Sequence, residues 1–420
     1  MKNKLLICII TLICLMFSSS AMGIERRRSQ FSTDFSHFVY PVYGKIPGVG
    51  EAAGAGVTLG NIFNQTADFT AIDMHGDFDV TSLMLLDLHL IPEVLAIDMG
   101  GAKYRAAVQR FSRGINSDKD DYMLPELEGN AALVQLTLML FDKQLQVFSR
   151  TARDTYKVNK VLDADGNEFA NQDKEPVTVK ANSIGFKVDW TDDYQDPRKG
   201  IRFGYSINAP VNDDKYVSDY FNQEYNLTLY VPFGQQSTWT FTYFQSNAVV
   251  TSKATTNREE LRQAIGLGCD QISEASAKEK CETVENKRLD ERIALNTYGN
   301  AIALGGTQRL RSFKLGRYFA GNTQFFGTEF RWNLTDEKTP FDLFFMKGVR
   351  TGVQLAAFAE AGTVFDDVKQ SDTFRHSYGV GARIILEGVT LRLDVATGEE
   401  GTEVVFFIAY PWSLFSVDKM

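Results

Sequence analysis

Val389-Thr390-Leu391-Arg392-Leu393-Asp394-Val395-Ala396 is the stretch that decides the fold. Val389, Leu391, Leu393 and Val395 are apolar, and Thr390, Arg392, Asp394 and Ala396 interleave them. Period-two alternation puts one face of a strand in an apolar medium and the other in a polar one. The charged pair on the polar face points to a wet interior rather than to the outside of a soluble protein. The same pattern runs through Phe326-Thr328-Phe330-Trp332-Leu334 against Gly327-Glu329-Arg331-Asn333. It returns in Tyr378-Val380-Ala382-Ile384-Leu386 against Ser377-Gly379-Gly381-Arg383, and Val404-Phe406-Ile408-Tyr410-Trp412 ends the series.

An export signal precedes these strands. Lys2 and Lys4 form a basic start, Leu5 to Phe17 an apolar core, and Ser19-Ser20-Ala21 a small-residue cleavage site. Residues 1–21 are therefore expected to be removed. The apolar core is too short to span a bilayer, and no later stretch reaches the length of a membrane helix. Together, signal and alternation predict an all-β chain: a transmembrane antiparallel barrel in the bacterial outer membrane, in contact with its lipid.

The chain has 420 residues and a formal charge of −9, which becomes −11 without the two signal lysines. An acidic chain with no basic run beyond Arg26-Arg27-Arg28 argues against nucleic acid as a partner. Residues 22–50 read as an extended N-terminal segment, 51–412 as the barrel and 413–420 as a tail. The glycines of Pro47-Gly48-Val49-Gly50 and Gly54-Ala55-Gly56 lack dinucleotide spacing and read as the edge of a first strand.

Further strands arrive at barrel spacing: Met84 to Leu90, Val134 to Leu140, Ile184 to Trp190, and Ile201 to Ile207. Tyr225 to Val231 and Trp239 to Tyr243 form a hairpin around Gly234-Gln235-Gln236. With weaker candidates near Phe69, Ala96, Leu145 and Ile293, the count is about sixteen, as closure in lipid requires. Trp190, Phe233, Trp239, Trp332, Tyr410 and Trp412 lie near strand ends, as interfacial girdles do. Residues 256–292 break the pattern. Capping boxes at Thr256-Asn257-Arg258-Glu259 and from Ser276 to Glu279 predict two helices, with Cys269 and Cys281 between them expected to form a disulfide.

One further set of motifs is ordered along the chain. Leu304-Gly305-Gly306-Thr307-Gln308-Arg309-Leu310-Arg311-Ser312-Phe313 is followed by Gly316-Arg317-Tyr318, by the Glu329/Arg331 strand, and by Phe358-Ala359-Glu360-Ala361-Gly362. This set resembles the BamA/TamA-type superfamily of outer-membrane assembly and translocation barrels, the bacterial surface antigen family. The likeness is strongest from about Leu304 to Trp412. It implies a long loop folded into the lumen, whose tip arginine, Arg311, with Phe313 beside it, pairs with the inward acid Glu360. Glu329, Arg331 and Arg383 would be supporting lumen charges. Ser312 stands where the family has Gly, and Glu360 where it usually has Asp. Strand parity agrees, since Phe358, Glu360 and Gly362 share the face opposite Val353, Leu355, Ala357 and Ala359.

No nucleophile elbow or catalytic set is present, so an enzyme is not expected, and no cofactor is implied. Asp73 with His75, and Asp87 with His89, read as lumen hydrogen-bonding pairs rather than metal ligands. Two functions remain. The first is insertion or translocation of polypeptide or lipid through a weak seam between first and last strands; the second is a passive pore or structural surface antigen. The resemblance also implies periplasmic repeats of about seventy-five residues, which residues 22–50 are too few to form. A client polypeptide or a separate periplasmic protein would then need another docking surface. Taking Ile293 to Ala303 as an outgoing strand places the 256–292 helices at the periplasmic end, where they would serve as that surface.

Overall fold

In a computed structural model of the chain, residues 34–408 are described, apart from 165, 167, 169–174, 195, 337–340, 350, 368–371 and 387–388. The export signal, Tyr410 and Trp412 lie outside the described residues. Sixteen antiparallel strands form the wall: β1 Ser36–Ile46, β2 Gly50–Ile62, β3 Ala67–Gly76, β4 Asp79–Ile91, β5 Leu95–Ala107, β6 Tyr122–Leu140, β7 Leu145–Asp163 and β8 Val177–Thr191. They continue as β9 Gly200–Val211, β10 Asp219–Phe233, β11 Ser237–Ser252, β12 Asn322–Asp336, β13 Thr351–Phe365, β14 Arg375–Leu386, β15 Val389–Gly398 and β16 Gly401–Ile408. Each pairs with its sequence neighbours, and β1 meets β16.

The alternation sorts as read. On β12, Phe326, Trp332 and Leu334 face outward and exposed, whereas Glu329, Arg331 and Asn333 are buried. Outward Trp190, Phe233, Trp239 and Trp332 all lie toward the barrel end where β1 starts and β16 stops, here the near end. Such a wall of exposed large apolar side chains is the surface a transmembrane barrel presents to lipid.

Two expectations are corrected. The barrel begins at Ser36, not at residue 51: Ser36 to Ile46 pair with Gly60 to Gly50 over eleven register positions. The turn residues Pro47-Gly48-Val49-Gly50 close only the end of this segment, and Phe38, Tyr40 and Val42 point inward into one core cluster. Second, there is no strand at Ile293. Helix α1 spans Arg258–Ile265 and helix α2 spans Ala275–Tyr298, so residues 253–321 form a single connection from β11 to β12. The helices therefore leave from the same end as the lumen loop, the far end, opposite Ser36 and Ile408. The parity placing them at the near end fails because it counted one strand too many.

The helices form a cap tied to its neighbours. Asn257, one residue after the expected cap, accepts hydrogen bonds from the Glu259 and Glu260 amides at 2.9 and 3.3 Å. From α2, Lys287 pairs with Asp121, Arg292 reaches Asp214 at 3.2 Å, and Asn296 donates to the Tyr216 carbonyl at 3.0 Å. Burial would push the Asp121 carboxyl up, but the Lys287 ammonium and the Ser112 hydroxyl outweigh it and hold the carboxyl low. Cys269 and Cys281 are disulfide-bonded with Cα atoms 5.6 Å apart. The bond joins α2 to the short Cys269–Gln271 turn of 3-10 helix rather than to α1. Its loop is short, so Cys281→Ser should cost about 3 kcal/mol at most, confined to the cap. Limited proteolysis should show faster cleavage within residues 266–274 and an unchanged barrel core.

Candidate functional site

Four consecutive strands aim charged side chains at one spot in the lumen. β12 supplies Glu329 and Arg331, β13 Phe358 and Glu360, β14 Arg383, and β15 Arg392 and Asp394. Register aligns them, with Glu329 opposite Phe358 and Arg383 opposite Arg392. Gly381 faces Asp394, and a Cβ there would lie 1.9 Å from Asp394 Oδ1. Glycine at this position is what lets Arg383 reach Asp394, at 2.9 Å.

Into this ring descends the loop of residues 299–321. Arg311 Nε lies 2.9 Å from Glu360 Oε1, and Nη1 lies 3.1 Å from Glu329 and 2.7 Å from Asp394. Its backbone amide donates to the second Glu360 oxygen at 2.9 Å, and its guanidinium stacks on the Phe358 ring at 3.4 Å. Arg383 and Arg331 complete the shell of Glu329 at 2.9 and 2.8 Å. Arg392 donates to the Thr307 carbonyl of the loop.

Arg311, Glu329, Arg383, Arg392 and Asp394 are all 0% exposed. The sequence pointed to a wet interior, but at this level the lumen is filled by paired side chains. Charges taken out of water persist only when paired and hydrogen-bonded, and a guanidinium fork shared among three carboxylates meets that condition. The ring fastens the loop to four strands through these ion pairs.

Loop packing reinforces it. Leu304, Leu310, Phe313 and Tyr318 bury against Phe244, Phe325 and Val364 of the wall, with Phe313 edge-on to Tyr318 at 5.3 Å. Ser312 causes no strain at the tip, because the left-handed residue is Leu310, at φ 53°. The Ser312 amide donates to Ser377 Oγ at 3.1 Å, and Gly398 opposite leaves room for its hydroxyl. Arg317 fastens the loop a second time, to Glu400 at 2.7 Å and to Ser117.

The structure thus brings Arg311, Phe313, Glu360, Glu329, Arg331 and Arg383 together; Cys269 and Cys281 lie apart in the cap. Sequence reasoning missed Asp394 and Arg392 as members, although their spacing of two on the polar face was the available signal. Of the two acid–histidine pairs, Asp87 and His89 are buried, with Asp87 held by Lys143 at 2.7 Å. Asp73 and His75 instead face outward and exposed, 3.1 Å apart, beside Ala55 and Ala53.

No protein-family model matches the sequence, and no curated protein matches it. Solved structures do. CdiB from Escherichia coli aligns with a TM-score of 0.52 at 8% identity, over 89% of this chain and 62% of that one. In fold, this chain is a barrel like that of CdiB. CdiB from Acinetobacter baumannii aligns with a TM-score of 0.48 at 10% identity, over 89% of this chain and 59% of that one. BamA from Haemophilus ducreyi lacking POTRA domains 1–3 gives 0.45 at 12%, over 91% and 69%. This chain thus spans less than two thirds of either CdiB chain.

Proposed function

We propose that this barrel sits in the bacterial outer membrane and assists insertion or translocation of polypeptide or lipid through the seam between β1 and β16. One observation carries the reading. β15 and β16 share eight register pairs and β1 and β2 share eleven, but among the described residues β1 and β16 share only Lys45 with Phe406. Backbone chemistry explains part of this. Val39 turns its amide toward the seam edge, donating to the Phe345 carbonyl, and Pro41, two residues on, has no N–H to offer. A strand edge with unpaired groups accepts another strand, which is how a seam could receive a client. Pro411, read in the sequence as weakening the last strand, lies outside the described residues; Pro41 supplies the same argument from the first strand.

A passive pore is the rival reading. The filled lumen at Arg311 and the cap across the far end speak against it. The test combines two measurements. A photoreactive residue replacing Tyr43 on the outward face of β1 should capture polypeptide or lipid in intact envelopes. A Lys45→Cys/Phe406→Cys disulfide closing the seam should abolish that capture. In planar bilayers the intact protein should show no steady conductance. Steady open-channel current, with capture indifferent to the closed seam, would establish the pore instead.

A further inference from the structure

The seam edge of β1 is not simply open. The β12–β13 connection carries a small hairpin, Phe341–Leu343 paired with Met346–Val349. Its second arm leaves the β13 line, passes the ends of β14, β15 and β16, and pairs antiparallel with the start of β1. His37 opposes Lys347 and Phe38 opposes Met346, and the Val39 amide donates to the Phe345 carbonyl at 3.1 Å. The other edge of β1 is fully taken by β2, so this ladder lies on the seam edge, the one Lys45 offers to Phe406.

Side chains seat the arm as a wall strand is seated. Met346 packs beside Phe38, Tyr40 and Val42 on the lumen side, and Val349 is 0% exposed in the same cluster. Asp342 accepts the Gly348 amide at 2.8 Å, closing the hairpin on itself. The apex is the opposite in character: Leu343 and Phe345 are exposed, and Phe344 is 99% exposed. One short element therefore has an arm paired along the seam edge, buried at Val349, and an apolar tip projecting from it.

We propose that residues 341–349 are a strap acting in cis: they occupy the acceptor edge of β1, and an incoming strand must displace them to pair there. The ladder is only three residues long, and hydrogen bonds traded between strands are worth little net, so exchange for a longer strand is favourable. The apex gives a partner a hold outside the wall. This rests on the seam reading above and adds its control: the free edge is exposed on displacement rather than at rest.

The experiment uses the full barrel in lipid nanodiscs. His37→Cys with Lys347→Cys should oxidise to a disulfide, since the two are register partners. The probe is a fluorescent peptide with the strap's own sequence, Phe-Asp-Leu-Phe-Phe-Met-Lys-Gly-Val. A variant lacking residues 343–347 should bind it at least tenfold more tightly than the intact chain, and the oxidised double cysteine should not bind it. In the intact chain, hydrogen exchange at the Val39 amide should be slowed relative to the shortened variant. If the shortened variant does not fold, Met346→Asp takes its place, setting a carboxylate against Phe38. Equal peptide binding by the intact and strap-free barrels, or equal exchange at Val39, would overturn the strap. These readouts need no client, so failure of client capture with strap exchange intact would count against the seam function alone.

Discussion

Arg311→Ala should release the lumen loop and markedly destabilise the barrel around it. The substitution removes the one cation shared by Glu360, Glu329 and Asp394, all buried and close around it. Leaving a buried charge without its partner costs about 3–5 kcal/mol, a large share of the roughly 5–15 kcal/mol that holds a typical domain. The carboxylates do not suffer equally. Glu329 keeps Arg383 and Arg331, and Asp394 keeps Arg383, whereas Glu360 loses the guanidinium that lies 2.9 Å from its Oε1. Glu360→Gln should accordingly be milder, since the amide oxygen still accepts while the charge goes. Arg311→Lys should rescue little, because an ammonium reaches one carboxylate well but cannot fork to three. Heat-modifiable mobility in detergent gels and protease sensitivity of residues 299–321 measure the ranking. Wild-type resistance in Arg311→Ala would show that apolar packing around Phe313 and Tyr318 holds the loop alone.

That ranking also shows which parts of the site were legible in the sequence. Parity alone places Glu360, Glu329, Arg331 and Arg383 in the lumen, because a strand's two faces cannot exchange without a register slip. Which inward charges meet is set by register between strands distant in sequence, so Asp394, 83 residues from Arg311, stayed unassigned. Failures elsewhere share a cause. Ile293 and Leu295 alternate like a strand, but Leu289, Ile293 and Asn296 also fit a helix face, and the turns already formed from Ala275 decide for helix. β1 carries a proline, a residue excluded from paired strand interiors. Its presence at position 41 is permitted by the same poorly paired edge that the seam reading depends on.

The correction at Ile293 reverses an expectation with an all-or-none outcome. A cysteine replacing Lys278, in a Cys269→Ser/Cys281→Ser background, should be labelled by a membrane-impermeant maleimide in intact cells. Ends of a barrel differ in their connections: short turns on the periplasmic side, long loops outside. Near-end connections include the short turns 63–66, 92–94, 141–144 and 234–236, with the strap between β12 and β13 the exception; the longest connection of all, 253–321, leaves the far end. Helix α2 belongs to the longest of these. Its ties through Lys287, Arg292 and Asn296 keep it over the far mouth even without the disulfide. A cysteine replacing Gln235, in a near-end turn, is the control and should react only after permeabilisation. The opposite pattern would place the near end outside and return the cap to the periplasm. Labelling at Lys278 alone removes the helical cap as a docking surface for a periplasmic partner, and leaves the near end, where the strap's apolar apex projects, as the face such a partner would meet.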